Sequence, residues 1–404
     1  MSLPGGGKTD QITANTKNKE LKLKDKIKRI FREQFLKEPL MVFAPGRINL
    51  IGDHTDYNSG FVLPAAINRG VFMALAENGT DSCKLVSLDM GEAVEVNLKN
   101  SLMPVNTGWA NYIIGVMDGL RNQGLEFNGF DAVFGGNIPI GSGLSSSAAL
   151  ECAAVLGISK LSGTEISEND MISIAQKAEH EFAGVKCGIM DQFASIMGKE
   201  DNAMRLDCRS LQYEYLPLDL KDCGFVLLDT KVSHSLGDSQ YNKRREECCE
   251  GLNTIRKKHP EASSFREVTM EMLEECKNEL TEKVYNRCSF VLEENSRVIR
   301  AGTYLRSGLG KEFGQLMYAS HEGLSNLYEV SCCELDLLVE SARRLKPVYG
   351  ARMMGGGFGG CTLNLIANKG KEKSISQLRQ SFETAFGRKP GVYEVNVIDG
   401  ARII

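Results

Sequence analysis

Residues 44–58 place Arg47, Asp53, His54, Asp56 and Tyr57 within a short stretch bracketed by the chain-bending Pro45, Gly46 and Gly52. Charge that dense is costly to bury unless it pairs or binds something polar. Short polar side chains on a Gly-punctuated turn can also point at a ligand rich in hydroxyls. Taken alone, the stretch fits a solvated loop closed by internal salt bridges equally well. The rest of the chain separates the two readings.

A chain of 404 residues, 42% hydrophobic and 25% charged, suits two or three packed domains. A net charge of -4 supplies no overall field for nucleic acid or an anionic membrane, and basic runs such as Lys243-Arg244-Arg245 read as exposed helix faces. Neither nucleic acid nor membrane is expected as a partner. The 12 cysteines are scattered, include the adjacent pairs Cys248-Cys249 and Cys332-Cys333, and never form Cys-x-x-Cys, so they read as reduced thiols. No apolar run approaches a membrane span, and the start lacks the order of a signal peptide. The expected location is the cytoplasm.

Residues 1–19 are small and polar and are expected to be a disordered extension. Gly7-Lys8-Thr9 imitates the end of a phosphate-binding loop, but Ser2 stands where its first glycine is required. Leu21, Leu23, Ile27, Ile30, Phe31 and Phe35 then trace one face of a helix. Strands are expected at 40–44, 70–77, 84–88 and 93–98, a helix near 110–123 and a strand at 131–134, which puts the first motif on the turn after an early strand.

A second motif, residues 135–151, runs from two glycines through Gly141, Ser142, Gly143, Leu144, Ser145, Ser146 and Ser147 into an apolar helix ending near 161. Its composition suits an anion cradle. Glycines let backbone N–H groups converge, the helix start adds unpaired donors, and hydroxyls suit phosphate or a hard cation. Serines also cap helices, so a structural turn remains the competing reading. The next helix opens on Ser167 with Asp170 in a capping-box arrangement and reaches 179–181. Asp191, in Gly188-Ile-Met-Asp-Gln-Phe193, is either a helix N-cap or a partly buried base, and spacing alone favours the cap.

A second domain is expected from 216 to 404, following one at 20–215. It opens with a buried strand at 224–229 and passes His234 and Tyr241. Amphipathic helices are expected at 240–258, 282–302, 309–325 and 333–346, the last capped by Ser331 and Glu334. Strands at 349–353 and 361–366 flank residues 355–360, five of which are glycine. A hairpin needs fewer, so a flexible turn competes with a loop packed closely on a ligand or another loop.

Residues 45–58, 143–148 and 355–361, in that order, resemble the three motifs of the GHMP small-molecule kinases, and the first is similar to that of the galactokinases. The resemblance extends from about residue 22 to the C-terminus. It implies an α+β fold of two domains, an N-terminal GHMP-type α/β domain and a C-terminal ferredoxin-like α/β sandwich, with the active site between them. It further implies transfer of the γ-phosphoryl of MgATP to the anomeric hydroxyl of α-D-galactose; the chain itself is expected to be a monomer. Position by position, Arg47 and Asp191 match the catalytic pair, and Asp53, His54, Asp56, Gly188 and Tyr241 match residues that bind the sugar. Asp56 and Tyr241 would read its C3 and C4 hydroxyls. The residues Gly141, Ser142, Gly143, Leu144, Ser145, Ser146 and Ser147 match the phosphate cradle, Ser146 and Glu179 the Mg²⁺-associated pair, and Trp109 an aromatic beside adenine.

One position departs from that pattern. Asp53 stands where galactokinases most often carry glutamate near the sugar's primary hydroxyl, so a side chain one methylene shorter puts discrimination at C6 in question. Among alternatives, an N-acetylgalactosamine kinase would look different just after the histidine. A kinase-dead galactose sensor would have lost parts of the Gly-Leu-Ser-Ser-Ser-Ala loop, which is complete here. A structural ATP-binding protein would leave the polar cluster at 47–58 unexplained.

Overall fold

The computed structural model describes residues 9–139, 141–219, 222–232 and 237–404. Helix α1 (Thr9–Phe35) buries Ile27 and Phe31 against the first sheet. It starts well before Leu21, so residues 9–19, expected to be disordered, are helical. They contain no Gly or Pro to stop a helix anchored by its apolar face. Residues 1–8 and His234 lie outside the described residues.

The chain continues through β1 (Leu40–Asn49), a 3₁₀ turn at Asp56–Asn58, β2 (Phe61–Val62), β3 (Pro64–Glu77), β4 (Ser82–Ser87) and β5 (Glu92–Asn97). Then come α2 (Gly108–Asn122), β6 (Phe130–Gly136), α3 (Ser146–Leu161), α4 (Glu168–Ala178), α5 (Met190–Met197), β7 (Asn202–Asp207) and β8 (Tyr213–Pro217). The first sheet has the order β13-β1-β3-β6-β4-β5, where β13 is Arg402–Ile403 at the far end of the chain. One face packs on α1 through Phe43 and Phe72, and the other packs Val42, Ala44 and Met73 into a core shared with Ala149, Ala153 and Ile174. Helix α3 is buried on nearly all sides, as its apolar composition requires.

Strand β1 does not end at residue 44. It runs on through Pro45, Gly46 and Arg47 with a register shift between Pro45 and Arg47, so Arg47 sits on a strand and not on the turn after it. Proline fits there because β13 pairs β1 only at Val42 and Phe43, leaving one side of Pro45 outside the ladder.

The second unit comprises β9 (Cys223–Asp229), α6 (Gly237–Lys258), α7 (Met270–Glu275), α8 (Glu282–Arg306), α9 (Gly310–Asn326), α10 (Cys333–Arg343), β10 (Val348–Met353), β11 (Cys361–Ala367), α11 (Lys371–Phe386) and β12 (Gly391–Val395). Its antiparallel sheet, ordered β10-β11-β9-β12, is the ferredoxin-like sandwich expected from the resemblance. Alternate residues of β9 face opposite cores. Val226 and Leu228 pack with Leu338, Val339 and Phe382, while Phe225 and Leu227 share a core with Ile48, Leu50 and Leu63 of the first unit. That shared core holds the two units face to face.

Residues 215 and 216, the expected domain boundary, lie inside β8, and the end of the chain does not stay with the second unit. After β12 the chain crosses back, Val397 bridges Ile67, and β13 pairs with β1, covering an edge that would otherwise expose unpaired backbone groups. The Ser167 cap is present, its Oγ accepting from Asp170 N at 3.1 Å. The Ser331–Glu334 box is not: α10 is capped at Cys332, Ser331 Oγ donates to Asp336 at 2.6 Å, and Glu334 pairs with Arg388. Asp336 competes successfully for the hydroxyl. No helix among the described residues is long and apolar enough to cross a membrane.

Candidate active site

Arg47 on β1 and Asp191 in the first turn of α5 meet in a two-pronged ion pair, Nε to Oδ1 at 2.8 Å and Nη2 to Oδ2 at 3.0 Å. The third prong, Nη1, donates to the Gly143 carbonyl at 2.6 Å. Asp191 is therefore not an N-cap. Ile189 holds that position, and the Asp191 side chain turns away from the helix start toward the arginine. Burial alone would lower the Arg47 pKa, but Asp191 and Asp53 outweigh it and raise it, so the guanidinium stays charged.

Ser145 Oγ donates to Asp191 Oδ2 at 2.5 Å, which ties the Gly/Ser loop to the same carboxylate. Gly141 and Gly143 both have φ near +73°, a conformation that favours glycine. Gly143 also lies against Gly355, where a Cβ would come 3.0 Å from the Gly143 carbonyl oxygen. The glycine-rich third motif thus does pack on another loop. Ser146 is exposed at the start of α3, and the buried Ser142 Oγ has no hydrogen-bond partner. Leu144 points its side chain into the shared core, so only its backbone could face a phosphate.

Arg47 and Asp191 open onto a cavity of about 200 Å³ lined also by Asp53, His54, Asp56, Glu179, Cys187, Tyr241 and residues 355–358, among others, whereas residues 141–147 do not line it. A larger cavity of about 1010 Å³ lies between α1 and the C-terminal tail, but none of the motif residues lines it. The first-motif residues and Asp191 therefore converge on the smaller one. Asp56 is pushed up to about 7 by burial first and then by the nearby Asp191. Gly188 does not line the cavity but stands behind Asp56: a Cβ there would fall 2.0 Å from Asp56 Oδ2. His54, with φ at +65°, presses its ring against Tyr57, Tyr241 and Tyr328, with centroids 4.9–5.8 Å away. Burial and Arg244 depress its pKa to about 3, so the ring is neutral.

Both oxygens of Asp53 are already engaged. Asn49 Nδ2 donates to Oδ1 at 3.0 Å, and Oδ2 pairs with Arg352, a fully buried residue of β10 that sequence reasoning missed. The available signal was a lone arginine in the apolar strand that leads into the glycine cluster. Gln192 was missed as well. Its Nε2 donates to Glu179 at 2.7 Å and to Glu151 at 3.0 Å, holding two buried carboxyls side by side.

Glu179 occupies a short π-helical turn (Glu179–Ala183), a local distortion common at functional sites. Burial, then Asp191, pushes it up to about 7. Its Oε1 accepts from Ser147 Oγ at 2.9 Å, so Ser147, and not the exposed Ser146, touches the carboxylate. A hydroxyl and a carboxylate together are hard oxygen donors that suit Mg²⁺, which is usually held by one or two carboxylates plus substrate phosphates. Trp109 does not line the cavity. Its Nε1 donates to Glu92 at 2.9 Å and its ring lies edge-on to Phe134.

Three family descriptions match the chain: the galactokinase galactose-binding signature at residues 29–77, the GHMP kinases N terminal domain at 111–199 and the GHMP kinases C terminal at 303–383. A galactokinase of Thermotoga maritima is 42% identical over 365 residues, covering 90% of this chain and all of that one. One of Clostridium tetani is 38% identical, covering 89% and 92%. The crystal structure of Lactococcus lactis galactokinase complexed with galactose superposes with a TM-score of 0.90 at 33% identity, covering 94% of this chain and 99% of that chain. Mevalonate kinase of Methanococcus jannaschii shares the fold at a TM-score of 0.64 and 17% identity, covering 90% and 99%. The chain belongs to the galactokinases, within the GHMP kinases.

Proposed function

We infer that the protein transfers the γ-phosphoryl group of ATP to the anomeric hydroxyl of α-D-galactose, giving α-D-galactose 1-phosphate and ADP, the first committed step of galactose use by the Leloir pathway. The observation that carries the reading is the likeness, over nine-tenths of the chain, to a galactokinase crystallised with galactose. The Arg47–Asp191 pair beside the glycine-rich loop gives that likeness its chemistry. Phosphoryl transfer asks the protein mainly for positioning and charge stabilisation. In our reading the anomeric hydroxyl sits at Asp191, which takes its proton as the bond to phosphorus forms. Arg47 stabilises the developing negative charge on the attacking oxygen.

Asp56 and Tyr241 accept and donate at the C3 and C4 hydroxyls, with Gly188 leaving room for Asp56, while His54 and Asp53 complete the sugar site. Backbone N–H groups of residues 141–147 cradle the phosphates, the side chain of Leu144 anchoring that loop. Trp109 is assigned to the adenine side. Glu179 with Ser147, or Ser146 after a small shift, would hold Mg²⁺, which when bound neutralises phosphate charge. A monomer in the cytoplasm completes the reading, and 12 cysteines without a disulfide support a reducing compartment.

The test is ADP release from MgATP with galactose, N-acetylgalactosamine, glucose and 6-deoxygalactose in parallel. Turnover on galactose and little on glucose is expected. Turnover on the acetylated sugar alone, or on none of the four, refutes the assignment. Asp191→Asn should still bind galactose and lose about 10²–10⁴ in turnover, and near-normal turnover would remove the base role.

A further inference from the structure

Helix α3 is buried on nearly all sides, and Glu151 is the one charged residue among its buried positions 148–159. Its side chain is fully out of water. A carboxyl is costly there, whereas a leucine would pack without that cost, so packing alone gives no reason for it. Its hydrogen bond is to Gln192, whose Nε2 donates to Glu151 Oε2 at 3.0 Å and to Glu179 Oε2 at 2.7 Å. Of these three side chains, Glu179 alone lines the cavity.

Ser147 and Glu151 stand one turn apart on the same face of α3, and between them they hold both oxygens of Glu179. Ser147 Oγ donates to Oε1 at 2.9 Å directly, and Glu151 acts on Oε2 through the Gln192 amide. The Cys187 thiol also donates to Oε2, at a longer 3.4 Å. Gln192 follows Asp191 in the first turn of α5, so one turn of helix sets the place of two carboxylates, one on its own backbone and one through the neighbouring side chain. Glu179 shares the cavity with Arg47, toward which a free carboxylate would be drawn. The amide bridge opposes that swing. Reversing the amide would make both carboxyls donors in place of acceptors and would leave the bridge standing.

We propose that Gln192 and Glu151 are positioning residues for the divalent cation of the reaction: Glu151 orients the Gln192 amide, and the amide holds Glu179 Oε2 in place to meet the metal. The proposal rests on the reading of Glu179 as a cation ligand given above. A ligand carboxylate fixed by a hydrogen bond from behind loses less freedom when the metal binds, and partners of this kind count for about 10–100-fold in metal affinity or activity.

Mn²⁺ takes the same oxygen donors as Mg²⁺, and its binding to the whole protein with a non-hydrolysable ATP analogue can be read from the water-proton relaxation enhancement that protein-bound Mn²⁺ gives. Galactose affinity, measured by calorimetry without nucleotide, is the control. Gln192→Leu should weaken Mn²⁺ binding at least about tenfold and change galactose affinity less than about twofold. Glu151→Leu, which puts an apolar side chain into an apolar helix, should weaken Mn²⁺ binding about threefold or more, and covers the case in which Gln192→Leu fails to fold. Glu151→Gln, whose carbonyl can still accept from Gln192, should stay within about twofold of the unmodified protein. In the double variant Gln192→Leu/Glu151→Leu the second change should add nothing, since Glu151 acts through the amide. Mn²⁺ bound as tightly by Glu151→Leu as by the unmodified protein overturns the proposal. So does a loss of galactose affinity equal to the loss of Mn²⁺ affinity, which would mark a general disturbance of the site. An unmodified protein that binds the analogue but no Mn²⁺ would instead refute the cation reading, and the proposal with it.

Discussion

Arg352→Met removes the guanidinium from a site with no access to water. Arg352 is fully buried, pairs with Asp53 and donates from Nη1 to Asn49 O at 3.1 Å, joining β10 to the end of β1. It also helps keep the buried Glu294 ionised, where burial raises that group and Arg297 and Arg352 together outweigh it. Methionine approximates the volume but leaves Asp53 with Asn49 as its remaining hydrogen-bond partner. Breaking a buried pair from one side costs about 3–5 kcal/mol, because an uncompensated charge stays behind. At about 2–4 °C per kcal/mol for units of this size, the midpoint should fall by roughly 10 °C.

The penalty has a sign in pH. Burial holds the Asp53 pKa above its ordinary value even with Arg352 present, and removing Arg352 raises it further. A group whose folded pKa is raised contributes its full stability below the unfolded pKa and loses it as pH rises through the folded one. The variant should therefore be closest to the unmodified protein near about pH 4–5 and furthest from it near about pH 8. Urea unfolding at both ends of that range, repeated with Asp53→Asn/Arg352→Met, measures it, and the double variant should recover most of the loss. A single variant within about 1 kcal/mol of the unmodified protein at both pH values would refute the reasoning.

Gly188→Ala should raise the galactose KM at least about tenfold, since the new methyl would displace the Asp56 carboxylate; an unchanged KM would show that Asp56 need not stand where it does. Asp56→Asn should stabilise the ligand-free protein near about pH 8, by on the order of 2 kcal/mol, and have little effect near about pH 4, because burial raises the Asp56 pKa to about 7 and its cost appears as pH rises. Equal effects at both pH values in thermal melts would contradict that linkage. The short Asp53, with both oxygens engaged, should let 6-deoxygalactose turn over at a measurable fraction of the galactose rate. Strict rejection, in the same ADP-release assay, would show that Asp53 still reads the C6 hydroxyl.

Local signals in the sequence determined most of the elements and all three loops. Apolar spacing in 21–35 set the face of α1, alternation and β-branched runs marked the sheet strands, and glycine density marked the loops that must approach one another closely. Proline and glycine misled at 45–46, because a strand tolerates both where its neighbour stops short, and a neighbour's length is not a local property. The same holds for Asp191: its spacing suits a cap, yet a guanidinium 144 positions away in sequence draws the carboxylate off the helix start. Ser147 meets Glu179 because of where a π-turn places that carboxylate, and Asp53 acquired Arg352 only because a strand nearly 300 residues later packs against it. Which polar groups a chain will contain is written residue by residue. Which of them pair is settled by packing, since a buried charge takes whatever partner the fold brings within reach.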